Sequence, residues 1–503
     1  MKDYSTRFLM LLVCLMYFHG YSQSKNTQQP NVIFILADDL GWRDVGYMGS
    51  VYYQTPHIDA LANSGMIFKN AYSASPLCSA SRSAIITGRY PSKTGIIDAS
   101  CHLKEVRLAA EVRPKSPPFA KALSVISATR LNLDFYTLGE AFKDAGYATA
   151  HIGKWHLGAE PFDPLHQGFD IDIPHTNSSG PNPNGWFAPW PVWPGHGKVG
   201  DNLEDAMTDE VVNYIKSHKD KPFLLDYWSF SVHGPWDAKK NLIDKYAILA
   251  NPNDPQHNPV YAGMVETFDN GVGRIMQTLK EEGLLGNTII VFCSDNGGVN
   301  WAEGANIPDP YKQVPITSNL PLRAGKATDY NGGVHVPLAV IWPGHTKAGS
   351  SNNTPVSGVD IYPTLLDMCG IKQKTGVDYD GKSFVPALQN KEFKRGPIFF
   401  HFPTYIKLTN QVPATAVIDG DFKLIRDYCD NDDQTDRFEL YNLKDDISEK
   451  NDLADKMPQK VQELNKLITK FLTQSNTVIP KPNPNYRVGA QPTNNLPANY
   501  MPN

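Results

Sequence analysis

Asn31-Val32-Ile33-Phe34-Ile35-Leu36-Ala37 is a continuous apolar run, rich in β-branched residues, that stops abruptly at Asp38-Asp39. A strand without polar alternation is buried on both faces, as in a parallel sheet covered by helices. Thr288-Ile289-Ile290-Val291-Phe292-Cys293 repeats the pattern and stops at Ser294-Asp295-Asn296-Gly297-Gly298. Between and after these runs, strand-like segments at Tyr147–Ile152, Phe223–Phe230 and Val334–Trp342 alternate with helical patterns at Thr137–Ala145, Asp205–His218, Val260–Glu282 and Asp360–Cys369. That alternation predicts an α/β fold whose mostly parallel sheet is flanked by helices. From about Pro397 the texture shifts to shorter alternating segments, with a hairpin signal at Asp419-Gly420 and an amphipathic helix over Pro458–Thr473. This predicts a smaller C-terminal α+β subdomain. The expected division is 1–22 leader, 31–395 main domain, 396–479 subdomain, and a Pro/Asn-rich tail over 480–503.

The chain has 503 residues, 41% hydrophobic and 20% charged, which suits a soluble globular protein with a large core. A net charge of −5 gives no general attraction to polyanions, so no nucleic-acid partner is expected. Any anionic substrate has to be met by local cations. Lys2 and Arg7 precede an apolar run from Phe8 to Phe18, followed by Gly20-Tyr21-Ser22-Gln23. This pattern predicts a signal peptide cleaved near Ser22 and a periplasmic or secreted protein without a membrane span. Six cysteines, one of them Cys14 in the leader, are too few for a disulfide framework and show no zinc-type spacing. A disulfide among Cys101, Cys369 and Cys429 stays open.

Ligands in open α/β sheets bind beyond the carboxyl ends of the strands. Asp38-Asp39 and Asp295-Asn296 sit there on two apolar strands, and four oxygen donors suit a hard divalent cation such as Ca2+ or Mg2+. Lys154 and His156 follow a third strand, His233 a fourth, and Lys326 lies in the loop Leu322-Arg323-Ala324-Gly325-Lys326. Together these offer cations for an anionic group and imidazoles for proton transfer. A further stretch, Cys78-Ser79-Ala80-Ser81-Arg82, spaces a cysteine and an arginine by one helical turn. On its own it also suits a helix start with Cys78 as a small buried hydrophobe.

Taken together, the motifs resemble the formylglycine-dependent, arylsulfatase-like sulfatases of the alkaline phosphatase superfamily. The family pattern Cys-x-Pro/Ala-x-Arg is matched by Cys78, Ala80 and Arg82. Thr87-Gly88-Arg89-Tyr90-Pro91, Asp38-Asp39-Leu40-Gly41, Gly153-Lys154-Trp155-His156-Leu157-Gly158, Ser294 to Gly298 and Leu322 to Pro337 match in family order. The resemblance implies that a maturating enzyme oxidises Cys78 to formylglycine (3-oxoalanine), whose hydrate attacks sulfur and later expels sulfate. It implies Ca2+ held by Asp38, Asp39, Asp295, Asn296 and residue 78, with Arg82 beside the nucleophile and His156 as its base. It further implies Lys154 and Lys326 on sulfate oxygens and His233 near the leaving group. His233 precedes Gly234-Pro235-Trp236, where many relatives have Thr-Pro, and His335 stands where arginine is common.

The expected activity is therefore that of an exported sulfatase, a sulfuric ester hydrolase, acting on a sulfated carbohydrate and so on polysaccharide breakdown. Two alternatives remain: a phosphomonoester or phosphonate monoester hydrolase of the same superfamily, and a non-catalytic sulfated-glycan-binding protein. The loop Asn177–Gly200 carries Trp186, Phe187, Trp190 and Trp193, which suit either stacking on sugars or loop packing. Irregular sequence over 98–133 is expected to border a cleft.

Overall fold

The computed structural model describes residues 29–490 except 183–184, 303–306 and 308. The leader over 1–22 and the tail beyond 490 lie outside the described residues. An eight-stranded sheet forms the centre. Its strands are β1 (Asn31–Ala37), β2 (Met66–Phe68), β3 (Ala148–Gly153), β4 (Ile171–Ile173), β5 (Phe223–Trp228), β6 (Thr288–Ser294), β7 (Leu338–Ile341) and β8 (Ser350–Asn352). They lie in the order β8-β2-β7-β6-β1-β5-β3-β4, and β7 alone runs antiparallel to its neighbours. Every residue of β1 is buried, as expected of a strand covered on both faces.

Alternation along the strands feeds two cores. Ile33, Ile35, Leu225, Tyr227, Ile290 and Phe292 face the helices Leu203–Ser217 and Pro259–Glu281. Val32, Phe34, Leu36, Leu224, Ile289 and Val291 face the helices Leu138–Asp144 and Ile361–Met368. Each such side chain contributes about 1.5–3 kcal/mol of burial. The helix Leu138–Asp144 starts at a Thr137–Glu140 capping box, and the next glycine, Gly146, turns the chain out at φ +88°. The expected strand over Val334–Trp342 is shorter: Asn331–Val334 forms one helical turn, His335 bridges to Tyr72, and pairing in the central sheet starts at Leu338.

A four-stranded antiparallel sheet, β9 (Ile398–Phe402), β10 (Ala414–Asp419), β11 (Phe422–Asp427) and β12 (Arg437–Asn442), follows with the helix Pro458–Ser475. It packs Val417, Leu424 and Phe471 against Ala84 and Tyr90, behind the helix Cys78–Thr87. Lys481–Pro482 then pairs with Ala122–Leu123 as a strap. Cys78, Cys101, Cys293, Cys369 and Cys429 are all free thiols. No helix among the described residues is long and apolar enough to cross a membrane.

A buried ion pair within the C-terminal unit holds the main domain through Asn331. Lys423 Nζ lies 2.8 Å from Glu449 Oε1 and 3.0 Å from Asn331 Oδ1, and Asn331 N donates to Glu449 Oε2 at 2.7 Å. Both charged side chains are fully buried. Removing one partner of such a pair leaves an uncompensated charge in the interior. Glu449→Ala is expected to cost about 3–5 kcal/mol, read as a lower denaturant midpoint. An unchanged midpoint would show that Lys423 finds another partner.

Candidate active site

Four neighbouring parallel strands, β6, β1, β5 and β3, end on one edge of the sheet. Their registers set Ala37 beside Ser294 and Gly153 beside Trp228. The polar residues that follow each strand are therefore delivered side by side. Gly153 is required here: a Cβ at its φ of +117° would sit 1.9 Å from Trp228 O. Asp39 (φ 62°) and His156 (φ 55°) are left-handed non-glycine residues, as are Ala324 and Ala327 flanking Lys326. Such conformations cost about 1–3 kcal/mol each and persist where the surroundings over-determine them.

Cys78 opens the helix Cys78–Thr87 and is 2% exposed. Its Sγ lies 3.4 Å from His156 Nδ1. Arg82, one turn on, is fully buried; its Nε donates to Asp295 Oδ2 at 2.9 Å and its Nη1 to Lys154 O at 2.5 Å. Lys154 Nζ donates to Asp38 Oδ2 at 2.7 Å, and Lys326 Nζ to Asp39 Oδ2 at 2.6 Å. His233 Nε2 is 3.6 Å from Asp39 Oδ2, while its Nδ1 lies 2.7 Å from Gly234 O. The segment that carries His233 is fixed at Asp38, where Val232 N donates to Asp38 O at 2.7 Å and Asp38 N to Ser231 O at 2.8 Å. Every residue expected at the site is thus brought to one place, from Asp38 to Lys326.

Electrostatics give the floor its character. Asp38, Asp39 and Asp295 face Arg82, Lys154 and Lys326, so charges nearly cancel before any ligand arrives. Burial would raise Asp39, but Lys326, His233 and Lys154 outweigh it and hold the carboxyl well below its usual range. Asp295 is pushed up to about 6 by burial, which Arg82 only partly offsets and Asp38 reinforces. Burial also raises the Cys78 thiol, against the pull of Lys154 and Lys326. A neutral buried thiol is a poor nucleophile. His156 is held neutral, far below its ordinary value, by burial and then by Lys154.

The residues fit a hard divalent cation. Asp38 Oδ1 and Asn296 Oδ1 are buried and have no hydrogen-bond partner among the described residues. Asn296 Nδ2 donates to Asp39 Oδ1 at 2.8 Å, the Asp39 backbone N–H donates to Asp295 Oδ1 at 3.2 Å, and Asp38, Asp39 and His233 bring ligand atoms within 4.8 Å of one another. Oxygen donors from Asp38, Asp39, Asp295 and Asn296 suit Ca2+ or Mg2+ rather than a soft metal. A cation there would turn the near-neutral floor positive, towards an anionic substrate.

One neighbour escaped the sequence reading. His102 Nδ1 lies 3.1 Å from His156 Nε2. Nothing in Cys101-His102-Leu103 signals this; long-range contacts from Arg130 and Asn177 create it. The region over 98–133 does line the site, through this histidine. Of the loop aromatics, Trp186 and Trp190 are 2% exposed and belong to the core, so they pack rather than stack on a ligand.

Comparison with known proteins agrees with this geometry. Residues 30–371 match the family described as Sulfatase, and residues 325–477 match the C-terminal family described as N-sulphoglucosamine sulphohydrolase. The N-acetylgalactosamine-6-sulfatase of Sus scrofa is 32% identical over 417 residues, 79% of this chain and 73% of that protein. A protein named Sulfatase from Formosa agariphila is 30% identical, covering 91% of this chain and 90% of its own. The solved structure of Ps i-CgsB in complex with k-i-k-neocarrahexaose superposes with a TM-score of 0.70 at 28% identity, over 88% of this chain and 93% of the other.

Proposed function

We propose, from the premise that the chain belongs to the sulfatase family and is a sulfuric ester hydrolase, that it is an exported enzyme acting on a sulfated carbohydrate, with formylglycine made from Cys78 by a maturating enzyme and Ca2+ beside it. The observation that carries the reading is that Cys78 Sγ meets His156 Nδ1 at 3.4 Å within the field of the Arg82, Lys154 and Lys326 cations, which pair with the buried carboxylates of Asp295, Asp38 and Asp39. The thiol is a weak nucleophile in that setting, so conversion makes chemical sense of the position.

Formylglycine would supply a hydrated aldehyde whose paired hydroxyls allow both attack on sulfur and later release of sulfate. Ca2+, held by Asp38, Asp39, Asp295, Asn296 and residue 78, would supply positive charge for the sulfate and the nucleophile. The chain's own residues do the rest. His156 Nδ1 takes a proton at position 78. Lys154 Nζ and Lys326 Nζ bind sulfate oxygens, where charge builds as the ester breaks. At rest, burial and then the two lysines hold His233 at about 3. A sulfate between those lysines offsets their charge and lets His233 Nε2 hold a proton for the departing alcohol. Arg82, fully buried against Asp295, anchors the floor.

Two lines support a carbohydrate substrate. One similar protein is a galactosamine-6-sulfatase and one similar structure holds a neocarrahexaose. The leader pattern over 1–22 supports export. A paired assay with an aryl sulfate and the matching aryl phosphate at equal concentration tests the reaction class. The sulfate is expected to turn over faster; faster phosphate hydrolysis would move the chain to the phosphoester branch. A panel of defined sulfated oligosaccharides then tests the carbohydrate assignment, which fails if none is desulfated while the aryl sulfate is.

A further inference from the structure

We infer that His102 is a positioning residue that fixes the tautomer of His156, holding the proton on Nε2 and keeping Nδ1 bare towards residue 78. The inference rests on the functional reading above. Three observations carry it.

First, His156 is fully buried between two partners: Cys78 Sγ at 3.4 Å on Nδ1 and His102 Nδ1 at 3.1 Å on Nε2. The nitrogen–nitrogen contact needs one shared hydrogen, and a neutral His156 has one to place. A thiol or a hydroxyl at position 78 has a proton to give, so donation runs one way. Position 78 donates to His156 Nδ1, His156 Nε2–H donates to His102 Nδ1, and His102 keeps its own hydrogen on Nε2. The opposite arrangement would point an N–H at a group that has to lose its proton.

Second, the backbone on both sides of His102 is clamped. Arg130 Nη1 donates to Cys101 O at 2.9 Å and Arg130 Nη2 to Leu103 O at 2.7 Å. Asn177 Nδ2 donates to Cys101 O at 2.6 Å, and its Oδ1 accepts from Gly158 N at 3.0 Å, two residues beyond His156. Arg130 is 4% exposed, so its guanidinium is committed to this loop. Such investment in one exposed loop position is a feature of a pre-set site rather than a chance contact.

Third, the rings are held at 5.4 Å between centroids with a 37° tilt, so they meet through their nitrogens rather than by stacking. His102 itself is exposed, and no other described contact fixes the Nε2 side of His156.

The test uses the full-length mature enzyme and the unconverted thiol form, which is the form the structure describes. In the mature enzyme, His102→Ala should lower kcat on an aryl sulfate about 10–100-fold with KM little changed. His102→Asn, whose carbonyl can accept where Nδ1 does, should recover part of that loss. Independently of turnover, 15N-histidine spectra of the thiol form should show His156 protonated on Nε2, assigned by the resonance lost in His156→Gln. His102→Ala should shift that nitrogen pattern towards the other tautomer. Wild-type kcat in His102→Ala, an effect on KM alone, or an unchanged His156 pattern would each overturn the inference. Failure of the wild-type enzyme itself on every sulfate ester would instead count against the functional reading, and the spectra would still judge His102.

Discussion

Cys78→Ala is expected to lower turnover of an aryl sulfate by at least about 10^4-fold while the protein stays folded. Alanine keeps the Cβ but lacks the sulfur on it that maturation acts on to leave the aldehyde, and no neighbouring hydroxyl replaces it. Ser79, the nearest candidate, donates its hydroxyl to His156 O at 2.8 Å and is fully buried. The structural cost is small because alanine is a good first helical residue and the lost sulfur touches polar groups rather than the apolar core. Circular dichroism and a melting curve should be close to wild type. Cys78→Ser should fail as well in a host whose maturating enzyme acts on cysteine. Full activity in the alanine variant would refute the nucleophile assignment.

Asp295→Asn should be the second largest loss, about 10^2–10^4-fold, and it should act on stability and metal together. Asparagine keeps the volume but removes the charge that faces the buried Arg82 at 2.8–2.9 Å. Arg82 keeps only the more distant Asp38 Oδ1 at 3.6 Å, and breaking its closer buried pair costs up to about 3–5 kcal/mol, so the melting temperature should also fall. The same substitution removes an anionic oxygen next to Asp39 and Asn296. Calorimetric titration should therefore show Ca2+ binding weakened by at least about tenfold. Wild-type Ca2+ affinity in this variant would take Asp295 out of the proposed ligand set.

Several of these features were legible in the sequence for a physical reason. Strands β1 and β6 are apolar without alternation, and their polar caps can only lie at the sheet edge. The spacing of Cys78 and Arg82 is a helical turn, and a helix is what forms. Lys154 and His156 are local to a strand end, so their delivery needs no long-range information beyond strand order. His102 was invisible because its role depends on Arg130 and Asn177, distant in the chain, holding an irregular loop. The tryptophan-rich loop read ambiguously for a similar reason. Composition cannot tell Trp190, packed with its indole N–H on Trp186 O, from a sugar platform. Strand Leu338–Ile341 starts late because Asn331–Val334 is recruited as a helical turn, where Asn331 meets Glu449 and Lys423 from the far end of the chain.

Mass spectrometry of the tryptic peptide Asn70–Arg82, on protein made in its native host or with a maturating enzyme, tests the central claim most directly. The expected spectrum shows the –CH2SH of Cys78 replaced by –CHO, with aryl sulfate turnover rising in proportion to the converted fraction. Full turnover by protein carrying only the thiol would contradict the account.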